Sequence, residues 1–206
     1  MQSAKDADIP CANGLKMLVA QAKKAAEIFK NKSFDNEIIE QTADKLYKKL
    51  RNIVLIGMPG AGKTTIGKRV AKSKKFDFFD LDEEIEKREK MKIPDIFTNR
   101  GEGYFRNAEK EITENISKKQ GVVVSTGGGI VLDKENILNL RANGILIWIK
   151  RDLNTLPRDG RPLSKDLDAL QKMYAVREPL YQKYADFIVE NDDLDTTLKT
   201  IEKLLK

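Results

Sequence analysis

Gly57-Met58-Pro59-Gly60-Ala61-Gly62-Lys63-Thr64 sets two glycines with four residues between them and follows them with a Lys-Thr pair. Glycines let a backbone curl until several N–H groups face one anion. A helix opening directly behind such a turn adds its partial positive charge. In that setting Lys63 reaches the β- and γ-phosphates of a nucleotide, and the Thr64 hydroxyl is placed to ligate Mg²⁺. The surroundings fit this P-loop pattern. The apolar run Ile53-Val54-Leu55-Ile56 precedes it, as a buried parallel strand would, and a helical pattern follows over about 62–75. The loop implies nucleotide binding and leaves the reaction open, because GTPases, motor ATPases and small-molecule kinases all carry it.

The residues that select a reaction lie further on. Asp80-Leu81-Asp82 closes a second strand pattern, and alternation along an extended chain puts both carboxylates on one side. Beside a magnesium nucleotide, one acid orients the metal's water shell and the other faces an acceptor hydroxyl. The alternative is that Asp82 simply caps the next helix. Arg106, in Gly101-Glu102-Gly103-Tyr104-Phe105-Arg106-Asn107-Ala108-Glu109, is suited to a two-pronged ion pair with a carboxylate, or is a solvated helix charge. Thr126-Gly127-Gly128-Gly129 allows close approach of a ligand to backbone, or is a plain turn. Arg158-Asp159-Gly160-Arg161-Pro162-Leu163 reads as an arginine-bearing lid over the transferring phosphate, and Arg177 follows on a helix.

Composition removes several classes. The chain has no histidine, which excludes Ser-His-Asp hydrolysis, Cys-His chemistry and histidine metal sites. Any metal must sit among oxygen ligands, which favours Mg²⁺. The single cysteine, Cys11, cannot form an internal disulfide, so a reducing cytoplasm is the expected compartment. No apolar run approaches the roughly 20 residues of a membrane span, and Lys16 interrupts the only early apolar stretch, so no signal peptide is expected. The net charge of +6 is spread along helices beside acids, which suits an enzyme with anionic substrates better than a nucleic-acid binder.

The elements that must position these residues alternate. Short apolar runs predict strands at 53–56, 77–81, 122–124, 145–149 and 187–189. Helical patterns fall at about 62–75, 82–91, 102–119, 133–142, 166–184 and 194–205, with 151–166 mostly loop. This predicts an α/β protein, a five-stranded parallel sheet with helices on both faces. Residues 1–50 differ. They read as two helices, 14–30 and 36–50, forming a helical extension ahead of a domain at 51–206.

As a set, the Asp-x-Asp, the Gly-Glu-x-x-Phe-Arg segment, the triple glycine and the Arg-Pro-Leu lid resemble the shikimate kinase family over residues 52–206. The resemblance implies a P-loop kinase fold and transfer of the ATP γ-phosphate, with Mg²⁺, to the 3-hydroxyl of shikimate in aromatic amino acid biosynthesis. It implies that Asp82 contacts the acceptor hydroxyls and acts as candidate base, and that Asp80 with Thr64 serves the metal. Gly60, Ala61, Gly62, Lys63, Thr64 and Thr65 would hold ATP. Arg161 would reach the phosphates from the lid and join Lys63 in catalysis, and Arg158 would lie near adenine. Arg106 and Arg177 would clamp the substrate carboxylate, with Gly127, Gly128 and Gly129 lining the same pocket. The spacing from Arg158 to Arg161 is short for the family and puts the Arg158 role in doubt. A monomer with no nucleic-acid or membrane partner is expected. The competing expectations are a gluconate kinase-like enzyme of the same fold and a non-catalytic nucleotide-binding regulator, which would need a damaged P-loop or lid.

Ala12-Asn13-Gly14-Leu15-Lys16-Met17-Leu18-Val19-Ala20-Gln21-Ala22 resembles the C-terminal end of shikimate dehydrogenase, where the glutamine reaches substrate. The body of such an enzyme is missing from this sequence, so Gln21 is not expected to support dehydrogenase activity. The resemblance implies a remnant or piece of a dehydrogenase–kinase fusion. An unrelated amphipathic hairpin is the alternative.

Overall fold

The computed structural model describes residues 14–156 and 167–205. The expectations placed on Cys11, Ala12, Asn13, Arg158 and Arg161 lie outside these residues. The chain divides into two units, residues 1–51 and 52–206.

In the first unit, the two expected helices are α1 (Leu15–Lys30) and α2 (Glu37–Leu50), and they pack as a hairpin. Asn31 ends α1 in the left-handed region at φ 44°, a conformation Asn tolerates better than most residues. Glu27 then accepts from the Phe34 N–H at 3.0 Å and from Lys23 Nζ at 2.8 Å, which pins the connection. Val19 and Ala43 are buried, but Leu18, which the periodicity places on the apolar face, is 58% exposed.

The second unit is built on β1 (Asn52–Ile56), which is buried at every position. Successive side chains of a strand point to opposite faces, so burial at all five positions means that both faces of the sheet are covered. Its buried Asn52 is satisfied: the side chain donates to Lys119 O at 2.8 Å and accepts from Val122 N at 3.2 Å. The chain continues as α3 (Lys63–Lys74), β2 (Asp77–Asp80), α4 (Leu81–Glu89), α5 (Ile93–Ser117) and β3 (Val122–Ser125). After a 3-10 turn come α6 (Lys134–Asn143), β4 (Gly144–Lys150), a second 3-10 turn, α7 (Leu167–Tyr184), β5 (Phe187–Glu190) and α8 (Leu194–Leu204). All strand pairs are parallel, and the sheet order is β2-β3-β1-β4-β5. Among the described residues no helix is long and apolar enough to cross a membrane.

Two expectations need correction. Leu81 does not extend β2. It opens α4, because the Asp80 side chain caps that helix, accepting from Asp82 N at 3.1 Å and Glu83 N at 3.4 Å. The stretch 93–100, left unassigned by periodicity, is helical. Pro94 stands in its first turn, where a missing N–H costs nothing. The break that the sequence implies ahead of residue 102 is real: Gly101 has φ 81° and ψ 169° and kinks α5 there.

Candidate active site

Strand register sets the site. Leu55 pairs with Ser125, and Ser125 pairs with Asp80, so the carboxyl ends of β1, β3 and β2 finish in one row. β1 lies between β3 and β4, where the order of connections reverses, the position at which open α/β sheets bind ligands. Gly57 turns the chain out of β1 at φ 143°, and a side-chain carbon there would lie 2.4 Å from Ile149 O. Only glycine allows that turn so close to β4. Lys63, buried at the start of α3, donates to Gly57 O at 2.9 Å and Met58 O at 2.8 Å. These bonds keep the ammonium folded over the loop whose N–H groups suit an anion.

Three oxygens converge beneath it. Thr64 Oγ1 donates to Asp80 Oδ2 at 2.7 Å and lies 3.4 Å from Ser125 Oγ. Among the described residues no group of three or more His, Cys, Asp and Glu side chains gathers to hold a metal. Few carboxylates with hydroxyls at a phosphate loop are what Mg²⁺ uses when substrate oxygens and water complete its shell, so the residues fit that ion.

A cavity of about 660 Å³ runs from this loop to α4, α5 and α7. Pro59, Gly60, Lys63 and Thr64 border it on one side, and Asp82, Arg106, Gly127 and Arg177 on the other. Asp82 reaches it from the first turn of α4, so Asp80 caps the helix and Asp82 is left for the cavity. The two acids therefore meet through a strand-to-helix turn, not through alternation within a strand. Burial pushes the Asp82 carboxyl up to about 6, and the negative charges of Asp80, Glu109 and Glu86 add to this against the pull of Lys63. A carboxylate of that basicity is matched to taking a proton from a hydroxyl near neutral pH.

The far wall is cationic. Arg106 donates to Glu109 Oε2 at 2.9 Å and to Glu102 Oε1 at 3.0 Å. Arg177 is 6% exposed, and no carboxylate among the described residues lies within ion-pair distance of it. Burial lowers its hold on its proton, yet guanidinium keeps its charge under all ordinary conditions. A buried cation without a counter-ion is costly unless an anion arrives to meet it.

The shikimate kinase family model matches residues 59–206. The chain belongs to the shikimate kinase family. The shikimate kinase of Hahella chejuensis is 42% identical over 153 residues, covering 70% of this chain and 80% of that protein. That of Caldicellulosiruptor saccharolyticus is 42% identical over 164 residues, covering 76% and 94%. The solved shikimate kinase from Acinetobacter baumannii in complex with shikimate superposes with a TM-score of 0.72 at 30% identity, over 78% of this chain and 96% of that one. A gluconokinase from Sinorhizobium meliloti has a TM-score of 0.50 at 15% identity, a likeness of fold alone.

Within this shikimate kinase family chain, Gly60, Gly62, Lys63, Thr64, Thr65, Asp80, Asp82, Arg106, Gly127, Gly128, Gly129 and Arg177 all border one cavity. Ala61 is buried beneath it, its carbonyl accepting from Asn191 Nδ2 at 2.7 Å. The sequence reading gave no role to Glu109, Ser125, Phe97 or Arg151, which border the same cavity. Glu109 stands three residues after Arg106 on a helix, and that spacing alone makes them neighbours. Arg151 gave no comparable warning, because only the closure of β4 beside β1 carries it to the loop.

Proposed function

We propose that this chain phosphorylates shikimate: the γ-phosphoryl group of ATP passes directly to the 3-hydroxyl, giving shikimate 3-phosphate and ADP. The observation that carries this reading is the buried Arg177, with no carboxylate among the described residues at ion-pair distance, in one cavity with Asp82 and the phosphate loop. It calls for an acceptor that has both a carboxylate and a hydroxyl. Arg177 and Arg106 hold the carboxylate, and Gly127, Gly128 and Gly129 admit the ring against backbone. Asp82 orients the hydroxyl and takes its proton as the oxygen bonds to phosphorus and the β–γ bridge oxygen leaves with ADP. Lys63 balances charge on the phosphates, and the roles that the family resemblance implies for Arg161 and Arg158 fall outside the described residues. Thr64 and Asp80 would hold Mg²⁺, which would supply neutralisation of the phosphate charge. With no histidine to carry phosphate, transfer is direct.

The protein works as a monomer in the cytoplasm, a compartment consistent with its single cysteine. Residues 5–50 are the C-terminal tail of a dehydrogenase joined to the kinase domain, a reading supported by the wording of residues 12–22, whose later part forms the start of α1. ADP release measured with Mg²⁺ and shikimate, gluconate or a nucleoside monophosphate tests the activity. Turnover dependent on shikimate is expected, and faster turnover of gluconate would overturn the assignment.

A further inference from the structure

Tyr181 is completely buried and belongs to none of the roles above. Its ring stacks on Trp148 of β4, centroid to centroid 5.5 Å at 27°. Its hydroxyl donates to Gly128 O at 2.6 Å, with Met58 Sδ of the phosphate loop 3.8 Å away. The positive charge of Arg177 favours ionisation of this phenol against its burial, and the phenol strengthens the hold of Arg177 on its proton, so the two groups face each other. Arg177 stands four residues earlier on α7, hence on the same helix face. A phenol has one proton, and a carbonyl can only accept. The Tyr181 proton therefore goes to Gly128, and the oxygen's lone pairs are left to receive an Arg177 N–H. The direction of this relay is fixed by chemistry. Burial also pushes ionisation of the phenol up, so the donor persists at every pH the enzyme meets.

We infer that Tyr181 is a positioning residue for the acid substrate: its hydroxyl sets the Arg177 guanidinium and the Gly128 backbone at one fixed separation. The inference rests on the substrate reading above. Arg177 sits on a helix and Gly128 on the loop after β3, so their mutual distance sets where a carboxylate and its ring can lie. The anchor of the relay is rigid, because Trp148 is paired in register with Ile56, the residue that leads into the phosphate loop. Without the hydroxyl, Arg177 keeps its charge and loses the contact that aims it.

Tyr181→Phe keeps the ring and its stack and removes only the relay. Initial rates are measured for wild type and variant against both substrates, with thermal unfolding alongside. The KM for shikimate is expected to rise about tenfold, the scale of one hydrogen bond to a charged group, with the KM for ATP changed less than about twofold. Trp148, the sole tryptophan, gives an independent reading through fluorescence titration with shikimate alone or ATP alone. In an Arg177→Ala background the same substitution is expected to leave shikimate KM unchanged, because its target is gone. A purely packing role would lower the unfolding temperature and the active fraction and leave the KM ratio alone. That result, an equal rise in both KM values, or full additivity with Arg177→Ala would overturn the inference. A wild type that uses gluconate and not shikimate would overturn the substrate reading separately, and the KM split would then be read on gluconate.

Discussion

A side-chain carbon at Gly129 would lie 2.6 Å from one terminal nitrogen of Arg106 and 2.7 Å from the other. The two terminal nitrogens of the guanidinium thus meet the backbone of the glycine loop edge-on. Arg106 is the far end of a flexible side chain, so Gly129→Ala displaces it and leaves the fold in place. The expected result is a severalfold rise in the KM for shikimate, an unchanged KM for ATP and an unfolding temperature close to wild type. An equal loss for both substrates would show that Gly129 serves the loop as a whole.

Arg177→Ala should weaken shikimate more than it weakens ATP. A hydrogen bond to a charged group contributes about 1.5–3 kcal/mol, roughly ten- to a hundredfold in affinity. Arg106→Ala should follow the same pattern. It also strips Glu109 of its counter-charge, and Glu109 is 1% exposed with Oε1 already without a hydrogen-bond partner. Arg106→Ala is therefore expected to lower thermal stability as well, and Arg177→Ala is not. Calorimetry of the two variants beside their kinetics separates these effects. A loss of ATP affinity without a loss of shikimate affinity would refute the carboxylate clamp.

Asp82→Asn keeps the shape of the side chain and removes the proton acceptor. General base catalysis is worth roughly 10²–10⁴ in rate, so kcat should fall within that range while both KM values stay near wild type. The helix should survive, because the cap is supplied by Asp80. Lys63→Ala should likewise abolish most turnover through lost charge stabilisation. Near-normal kcat in either variant would remove that residue from the chemistry.

Much of this was legible in the residues, for physical reasons that differ by element. Gly57 to Thr64 is readable because backbone geometry and phosphate chemistry leave few substitutes. β1 and the centre of β4 are readable because burial on both faces demands an unbroken apolar run. Asp82 borders the cavity through a strand-to-helix turn and not through strand alternation, since a cap bond and a strand look alike over Asp80-Leu81-Asp82. The stretch 93–100 carries no assignment from periodicity because its inward face amounts to buried Ile96 with half-buried Ile93 and Phe97, little more than one turn and too short to show a period. Tyr181 was invisible as a positioning residue. In sequence it is one more aromatic on an amphipathic helix, and only the packing of α7 against the glycine loop brings its hydroxyl to Gly128.

The last prediction concerns residues 1–51. Every residue bordering the cavity lies at or beyond Pro59, and residues 52–206 form a unit with its own sheet and core. The hairpin of α1 and α2 holds its own connection through Lys23, Glu27 and Phe34. A chain of 52–206 is therefore expected to fold and to release ADP in the presence of shikimate with kcat and both KM values within about threefold of the full chain. The apolar side chains of the hairpin are another matter. Phe29 is 90% exposed and Ile28 71%, so their removal should improve solubility at high concentration. Kinetics and light scattering of the two chains side by side check both parts. A folded 52–206 without shikimate-dependent ADP release would show that the hairpin completes the site, and the reading of residues 5–50 as a dehydrogenase tail would have to be abandoned.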